Sequence, residues 1–338
     1  MAKYKVALVS TDHPDSKHVQ DALATFPDAE FVDLSRVDPY DEDTILAGVK
    51  DVDAVVYQWA RLPARVINAM EKCKVISMMG IGLDFMDVEA ATKKGIVVCN
   101  NPAYNKHEVA NHAFTMICAL NRQLFQFDRL TREGKYGWSY LDVELHRPEL
   151  QTVGLFSFGK ISRKIAHKCK EALGMNVIFY DPYLSEEAGL AAGARKVDFE
   201  TLLKESDYIS VNGPSTAENF HIFNKDAFAK MKPSAYIVNC ARGTLVDTDA
   251  LVEALETKTI AGAGIDVFES EPLLPDHPLT KLDNVILSPH SAWHTRESMY
   301  YQGYYATIQA IQALQGQTPP FCVNYKELGM PASTLSLD

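Results

Sequence analysis

The sequence predicts an α/β protein built on two parallel sheets. Short apolar runs of strand length alternate with helical stretches, the pattern of parallel strands joined by helical crossovers. The pattern occurs twice, once within the first hundred residues and again from about Val153, with Asn101-Pro102-Ala103-Tyr104-Asn105 as the break between the two series. At 338 residues the chain is long enough for about two domains, and 47% hydrophobic residues suffice for two cores.

In the first series the strands are expected at 4–9, 30–34, 53–57, 74–78 and 96–98, with helices over Ser16–Phe26, Pro63–Lys72 and Met86–Lys94. A long helix is expected from about Glu108 to Arg132. The second series has six strands, at 152–157, 176–180, 207–211, 235–239, 260–265 and 284–288, with helices that include Lys160–Leu173 and Asp247–Glu256. Within Lys160–Leu173, Ile161, Ile165, Ala166, Cys169, Ala172 and Leu173 recur at helical spacing and give one apolar face. Six strands with helical crossovers make a doubly wound dinucleotide-binding sheet the expected architecture. A last long helix is expected over Glu297–Gln315.

Composition narrows the function. The net charge of −11 argues against nucleic-acid binding, which needs a basic face. The six cysteines, Cys73, Cys99, Cys118, Cys169, Cys240 and Cys322, include no C-x-x-C pair, so neither a metal site nor a disulfide scaffold is expected. The chain opens on a strand with no basic-then-apolar leader. Apolar runs such as Phe114–Leu120 fall far short of the ~20 residues of a membrane span. A soluble cytoplasmic protein is expected.

After the strand Thr152–Phe156, the segment Ser157-Phe158-Gly159-Lys160-Ile161-Ser162 opens a helix. A dinucleotide turn reads G-x-G-x-x-G; here the frame is S-x-G-x-x-S. Gly159 keeps the most demanding position, where backbone must approach a pyrophosphate with no Cβ between. Ser162 is small enough for close packing of helix on strand, whereas Ser157 is disfavoured if the turn needs a positive φ. The next strand ends in Asp181, which lies 22 residues past Gly159. A carboxylate there suits the ribose hydroxyls and repels a 2′-phosphate, which favours NAD over NADP.

Three polar groups lie just past the carboxyl ends of expected strands, where open α/β sheets bind ligands: Arg242, Glu271 and His290. Together they supply what reduction of a 2-oxo acid requires. Histidine is suited to donate the proton, a carboxylate beside it favours imidazolium, and an arginine fork holds the substrate carboxylate and keto oxygen.

The segments Val238-Asn239-Cys240-Ala241-Arg242-Gly243, Gly264-Ile265-Asp266-Val267-Phe268-Glu269-Ser270-Glu271-Pro272 and Ser288-Pro289-His290-Ser291-Ala292-Trp293 resemble the D-isomer-specific 2-hydroxyacid dehydrogenase family, phosphoglycerate dehydrogenase-like members included. The resemblance runs over about residues 50–325. It implies a Rossmann nucleotide domain over 101–293, and a flavodoxin-like substrate domain formed by 1–100 and 294–338, with the active site in the cleft between. By this resemblance Arg242 binds substrate, His290 is the acid/base and Glu271, the acid just before proline, is its partner in preference to Glu269. A formate dehydrogenase would carry Gln at the position of Glu271.

The resemblance further implies that Gly80, Ile81 and Gly82 bind the substrate carboxylate through backbone N–H groups. It places Val109, Gly159, Lys160, Ile161, Asp181, Asn212, Pro214, Cys240, Ala241, Asp266 and His290 around NAD. It also implies a homodimer formed through the nucleotide domain and a small 2-oxo or 2-hydroxy acid as substrate. Asn212, Asn111, Ser157 and Ser162 depart from the family pattern, and the two serines bear on cofactor affinity.

Phe179-Tyr180-Asp181-Pro182-Tyr183-Leu184 and His290-Ser291-Ala292-Trp293 are also similar to the C-terminal-binding-protein branch, which implies an alternative: an NAD(H)-sensing, corepressor-like, partner-binding protein. Tyr57, Gln58, Trp59, Arg61, Tyr104, Trp138 and Trp293 are candidates to line the pocket, Arg61 for a second acidic group on the substrate.

Overall fold

The computed structural model describes residues 3–11, 13, 15–141 and 143–337. The chain divides into two units, Met1–Asn105 with His294–Asp338, and Lys106–Trp293. The first boundary falls beyond the expected 100/101 division because the crossing segment is tied back into the first unit. Asn101 donates its backbone N–H to the Gly80 carbonyl at 2.8 Å and its side-chain amide to the Gln302 carbonyl at 3.0 Å.

The first unit holds β1 (Tyr4–Val9), β2 (Ala29–Leu34), β3 (Ala54–Tyr57), β4 (Val75–Met78) and β5 (Val97–Cys99), all parallel, in the order β2-β1-β3-β4-β5. This is the flavodoxin-like order. Side chains alternate across a strand, so Ala7 and Val9 enter one core and Val6 and Leu8 the other. The Val6/Leu8 core is completed by Ala306, Ala310, Ile311 and Leu314 from the helix Arg296–Leu314. Both ends of the chain therefore build this unit.

The second unit holds β6 (Thr152–Phe156), β7 (Asn176–Tyr180), β8 (Arg195–Lys196), β9 (Tyr208–Val211), β10 (Tyr236–Asn239), β11 (Gly262–Ile265) and β12 (Val285–Leu287). Their order is β12-β11-β10-β9-β6-β7-β8, all parallel, the doubly wound dinucleotide-binding arrangement with one further strand. Six strands were expected; the one not foreseen is β8. It is two residues long, lies at the sheet edge and carries charge, so it has no apolar run to betray it. The sequence order reverses between β6 and β9, which puts a topological switch point at their carboxyl ends.

The expected single helix Glu108–Arg132 is two helices, Lys106–Asn121 and Leu124–Arg132. The break is Gln123, left-handed at φ 48°. Its side-chain amide donates to the Leu120 carbonyl and to the Tyr236 hydroxyl on β10, each at 2.8 Å. Among the described residues no helix is long and apolar enough to cross a membrane.

Candidate active site at the carboxyl edge of the second sheet

Because all seven strands run in parallel, the loops that leave β6, β7, β9, β10, β11 and β12 emerge on one edge of the sheet. Those loops carry Ser157–Gly159, Asp181, Asn212 and Pro214, Cys240–Arg242, Asp266–Glu271 and Ser288–His290.

Three of these loops converge. His290 Nδ1 lies 2.8 Å from Glu271 Oε2. A carboxylate only accepts, so Nδ1 carries the proton in this pair and Nε2 is left to exchange one elsewhere. The other oxygen of Glu271 accepts the Phe268 N–H at 3.0 Å. Burial pushes the Glu271 carboxyl up, but the His290 ring, the Phe268 N–H and the charge of Arg242 together hold it below its ordinary value. Both side chains remain about one-third exposed. Glu269, the alternative acid, faces elsewhere: it accepts from His221 and, at 2.8 Å, from the Thr248 N–H.

Arg242 is set by the residues before it. Asn239, buried at the end of β10, accepts the Ala241 N–H at 3.0 Å and donates to the Arg242 carbonyl at 2.9 Å. The Arg242 guanidinium also donates to the Ala241 carbonyl at 2.8 Å. Gly243 then lets this loop lie against the next one. A Cβ there would stand 2.0 Å from the Phe268 carbonyl carbon and 2.4 Å from the Glu269 nitrogen. The Arg242 and Glu271 loops can pack backbone on backbone because residue 243 has no side chain.

His290 is left-handed at φ 51°, a costly conformation for a residue with a Cβ. Asp266 holds it there. Its carboxylate is fully buried and accepts the Ser288 hydroxyl, the Ser291 N–H at 2.9 Å and the Ala292 N–H at 3.0 Å, while its carbonyl accepts the His290 N–H at 2.7 Å. His112 reaches the same network, with Nε2 3.0 Å from the Ser288 hydroxyl. Val109, on the same helix, packs in one apolar cluster with Cys240 and Ala292. Burial, with Asp266 near, drives the Cys240 thiol well above its ordinary value, so it stays protonated.

At the β6 turn, Ser157 does adopt a positive φ, 70°, the circumstance in which serine was expected to be a poor fit. Its hydroxyl lies 3.4 Å from Asp181, whose carboxylate also accepts the Phe158 N–H at 2.9 Å and the Tyr183 N–H at 2.9 Å. Ser162 is buried in the helix Lys160–Leu173. Gly159 has an ordinary φ of −75°, and a Cβ there would meet nothing within 4 Å. Neither backbone conformation nor internal packing requires glycine at this position. A cavity of about 560 Å³ opens beside Asp181 at the ends of β7 and β8, lined by Tyr180, Pro182, Arg195, Val197 and Thr201 among others. That volume lies within the usual range of small-molecule sites. Asn212 turns its amide back onto Ser210 at 3.0 Å, and the Pro214 carbonyl accepts from Asn219 at 2.8 Å.

In the first unit, the loop after β4 has its carbonyls engaged. Gly80 O accepts the Asn101 N–H at 2.8 Å and Ile81 O accepts the Asn100 side-chain amide at 2.9 Å. In a trans peptide N–H and C=O point oppositely, so the N–H groups of Ile81 and Gly82 face away from those partners. Arg61 is exposed and lies over the Tyr40 ring at 4.8 Å.

Residues 114–292 match the D-isomer specific 2-hydroxyacid dehydrogenase, NAD binding domain family. The chain belongs to this family. It is 36% identical over 294 residues to a glyoxylate reductase of Thermofilum pendens, a match covering 86% of each chain. It is 40% identical over 263 residues to a D-3-phosphoglycerate dehydrogenase of Archaeoglobus fulgidus, covering 78% of this chain and 49% of that protein. The chain thus spans about half the length of that relative. Among solved structures, a glyoxylate reductase from Paecilomyes thermophila superposes with a TM-score of 0.85 at 27% identity, over 96% of this chain and 100% of that one.

Membership makes the second unit an NAD-binding dehydrogenase domain. Within it, the sequence motifs single out Arg242, Glu271 and His290 but not the residues that hold them in place. Asn239 and Gly243 stood inside a quoted motif without a function, and His112 carried no signal at all. An asparagine at a strand end followed by a turn is the cue that would have found Asn239.

Proposed function

We propose that the chain interconverts a small 2-oxo acid and the corresponding D-2-hydroxy acid with NAD(H), using His290 as acid/base, Glu271 as its partner and Arg242 to bind substrate. The observation that carries this reading is the 2.8 Å pair between His290 Nδ1 and Glu271 Oε2, on a loop that Gly243 packs against the loop of Arg242.

The nicotinamide supplies the hydride. As the substrate carbonyl is reduced, negative charge grows on its oxygen, and His290 Nε2 donates the neutralising proton. Glu271 accepts from His290 Nδ1 at 2.8 Å, which keeps the ring from rotating and leaves Nε2 facing the substrate. The Arg242 fork pairs with the substrate carboxylate and fixes the reacting carbon. The backbone of Gly80, Ile81 and Gly82 is the second proposed carboxylate ligand, a reading supported by the direction of the Ile81 and Gly82 N–H groups. In the opposite direction, His290 takes up the hydroxyl proton.

For NAD, the proposed contacts are Gly159, Lys160 and Ile161 at the pyrophosphate, Asp181 at the ribose, and Asn212 and Pro214 along the dinucleotide. Val109, Cys240, Ala241, Asp266 and His290 lie on the nicotinamide side. The open space over Gly159 supports the first of these. A homodimer through the second unit is also proposed, supported by Tyr136, Trp138 and Tyr140, which are 91%, 83% and 54% exposed. The proposed location is the cytoplasm.

The test follows NADH absorbance with a panel of 2-oxo acids, comparing wild type with His290→Ala. Loss of general acid catalysis is expected to slow turnover by about 10²–10⁴. If NADH binds but no acid is turned over, the corepressor-like reading replaces this one.

A further inference from the structure

We propose that Cys99 and Cys322 form a reversible disulfide that staples the C-terminal segment onto β5 of the first unit. The two residues are more than two hundred positions apart in sequence, yet they face each other across an antiparallel bridge. The Val323 N–H donates to the Val98 carbonyl at 2.8 Å, and the Asn100 N–H donates to the Phe321 carbonyl at 3.3 Å. Hydrogen bonds that flank a pair on both sides in this way make Cys99 and Cys322 a non-hydrogen-bonded pair, the type whose Cα atoms approach to about 4.5 Å with side chains closest. A disulfide needs a Cα separation of about 4.4–6.8 Å, so the backbone already stands at a bridging distance.

The side chains are placed to use it. Both cysteines are buried, at 0% and 8% exposure, and both carry free thiols. Cys322 also reaches the Asn324 side-chain oxygen at 3.5 Å. Asn324 in turn accepts the Val98 N–H and donates to the Ile96 carbonyl, each at 2.9 Å, which holds the segment in register on β5. The neighbouring Cys99 thiol and backbone groups nearby lower the Cys322 thiol below its ordinary value against the effect of burial, while burial pushes Cys99 well up. Cys322, the more exposed of the two at 8% against 0% and the one whose thiol is lowered, is the first to react, with Cys99 as the resolving partner.

With a peroxide as oxidant the step balances. The Cys322 thiolate attacks one peroxide oxygen; an S–O bond forms, the O–O bond breaks and hydroxide leaves. Cys99 then attacks the sulfenic sulfur, the S–S bond forms and the second oxygen leaves as water. Two thiols lose two electrons and two protons, and hydrogen peroxide becomes two waters. The reverse step is thiol–disulfide exchange, in which an added dithiol takes up the bridge and returns both thiols.

Gln309 donates to the Asn100 carbonyl at 2.9 Å and accepts the Phe321 N–H at 3.1 Å. The bridge would add a covalent tie beside Asn100, whose side chain holds the Ile81 carbonyl.

The experiment oxidises the full chain with hydrogen peroxide, then digests it without reductant for mass spectrometry, with melting followed in parallel. One linked peptide containing Cys99 and Cys322 is expected, about 2 Da lighter than its two parts. Tm is expected to rise by several degrees in wild type, to return with dithiothreitol, and not to rise in Cys322→Ser. Linkage of other cysteines, oxidation of Cys322 with no link to Cys99, or a link with unchanged Tm overturns the proposal. The peptide map needs no variant and no turnover, so its result is independent of the proposed reaction.

Discussion

Gly243→Ala tests how the site is assembled, because it adds one carbon atom far smaller than any reacting group. The new Cβ would lie 2.0 Å from the Phe268 carbonyl carbon, 2.2 Å from its oxygen and 2.4 Å from the Glu269 nitrogen, all backbone. Ordinary contact begins at 3.4 Å, so the two loops must part by about 1.4 Å, and backbone cannot step aside by changing rotamer. Glu271 rides on the displaced loop through its bond to the Phe268 N–H. A shift of that size along the 2.8 Å contact with His290 would stretch it beyond hydrogen-bonding distance. Overpacking of this kind costs about 1–3 kcal/mol, or roughly 2–10 °C in Tm for a domain of this size. Misplacement by about 1 Å can cost on the order of 10²-fold in rate. The assay is kcat/KM by NADH absorbance beside thermal melting. A Gly243→Ala protein with wild-type Tm and kcat/KM within about twofold would refute the argument that glycine joins these loops.

Gly159→Ala is the counterpart, since nothing in the protein opposes its Cβ. Tm is expected to stay unchanged while NADH binding weakens in a fluorescence titration; equal affinity would remove the reason given for that glycine. Ser157→Gly should relieve the φ of 70° at the loss of a long 3.4 Å contact, raising stability by up to about 1 kcal/mol; a lower Tm would mean the hydroxyl matters more than the backbone. Glu271 is held below its ordinary 4.5 in the folded protein. Its contribution is therefore complete above that value and is lost as pH falls through the depressed folded value. Glu271→Gln should flatten this acid limb in melts between about pH 3 and 7, and parallel curves for the two proteins would count against the pairing.

Much of this was legible because it depends on local pattern. The five strands of the first series and six of the second lie where apolar runs bounded by turns put them, since burial on both faces of a parallel sheet demands such runs. Arg242, Glu271 and His290 were visible as polar groups just beyond strand ends. What escaped has a common cause: it depends on a partner distant in sequence. The helix break at Gln123 is supported by Tyr236 on β10, and β8 exists because β7 offers it an edge.

The contrast is sharpest at the cysteines and at Asp266. Spacing alone gave Cys99 and Cys322 no relation, yet the return of the C-terminal segment to β5 sets them face to face. Asp266 was expected beside a cofactor from its motif, but folding surrounds its carboxylate with the Ser288 hydroxyl and the N–H groups of Ser291 and Ala292. Periodicity and chemical type are properties of the chain read in order, so they specify elements and reactive groups in advance. Which group braces which arises once strands distant in sequence become neighbours, because hydrogen bonds and close contacts act over a few ångströms.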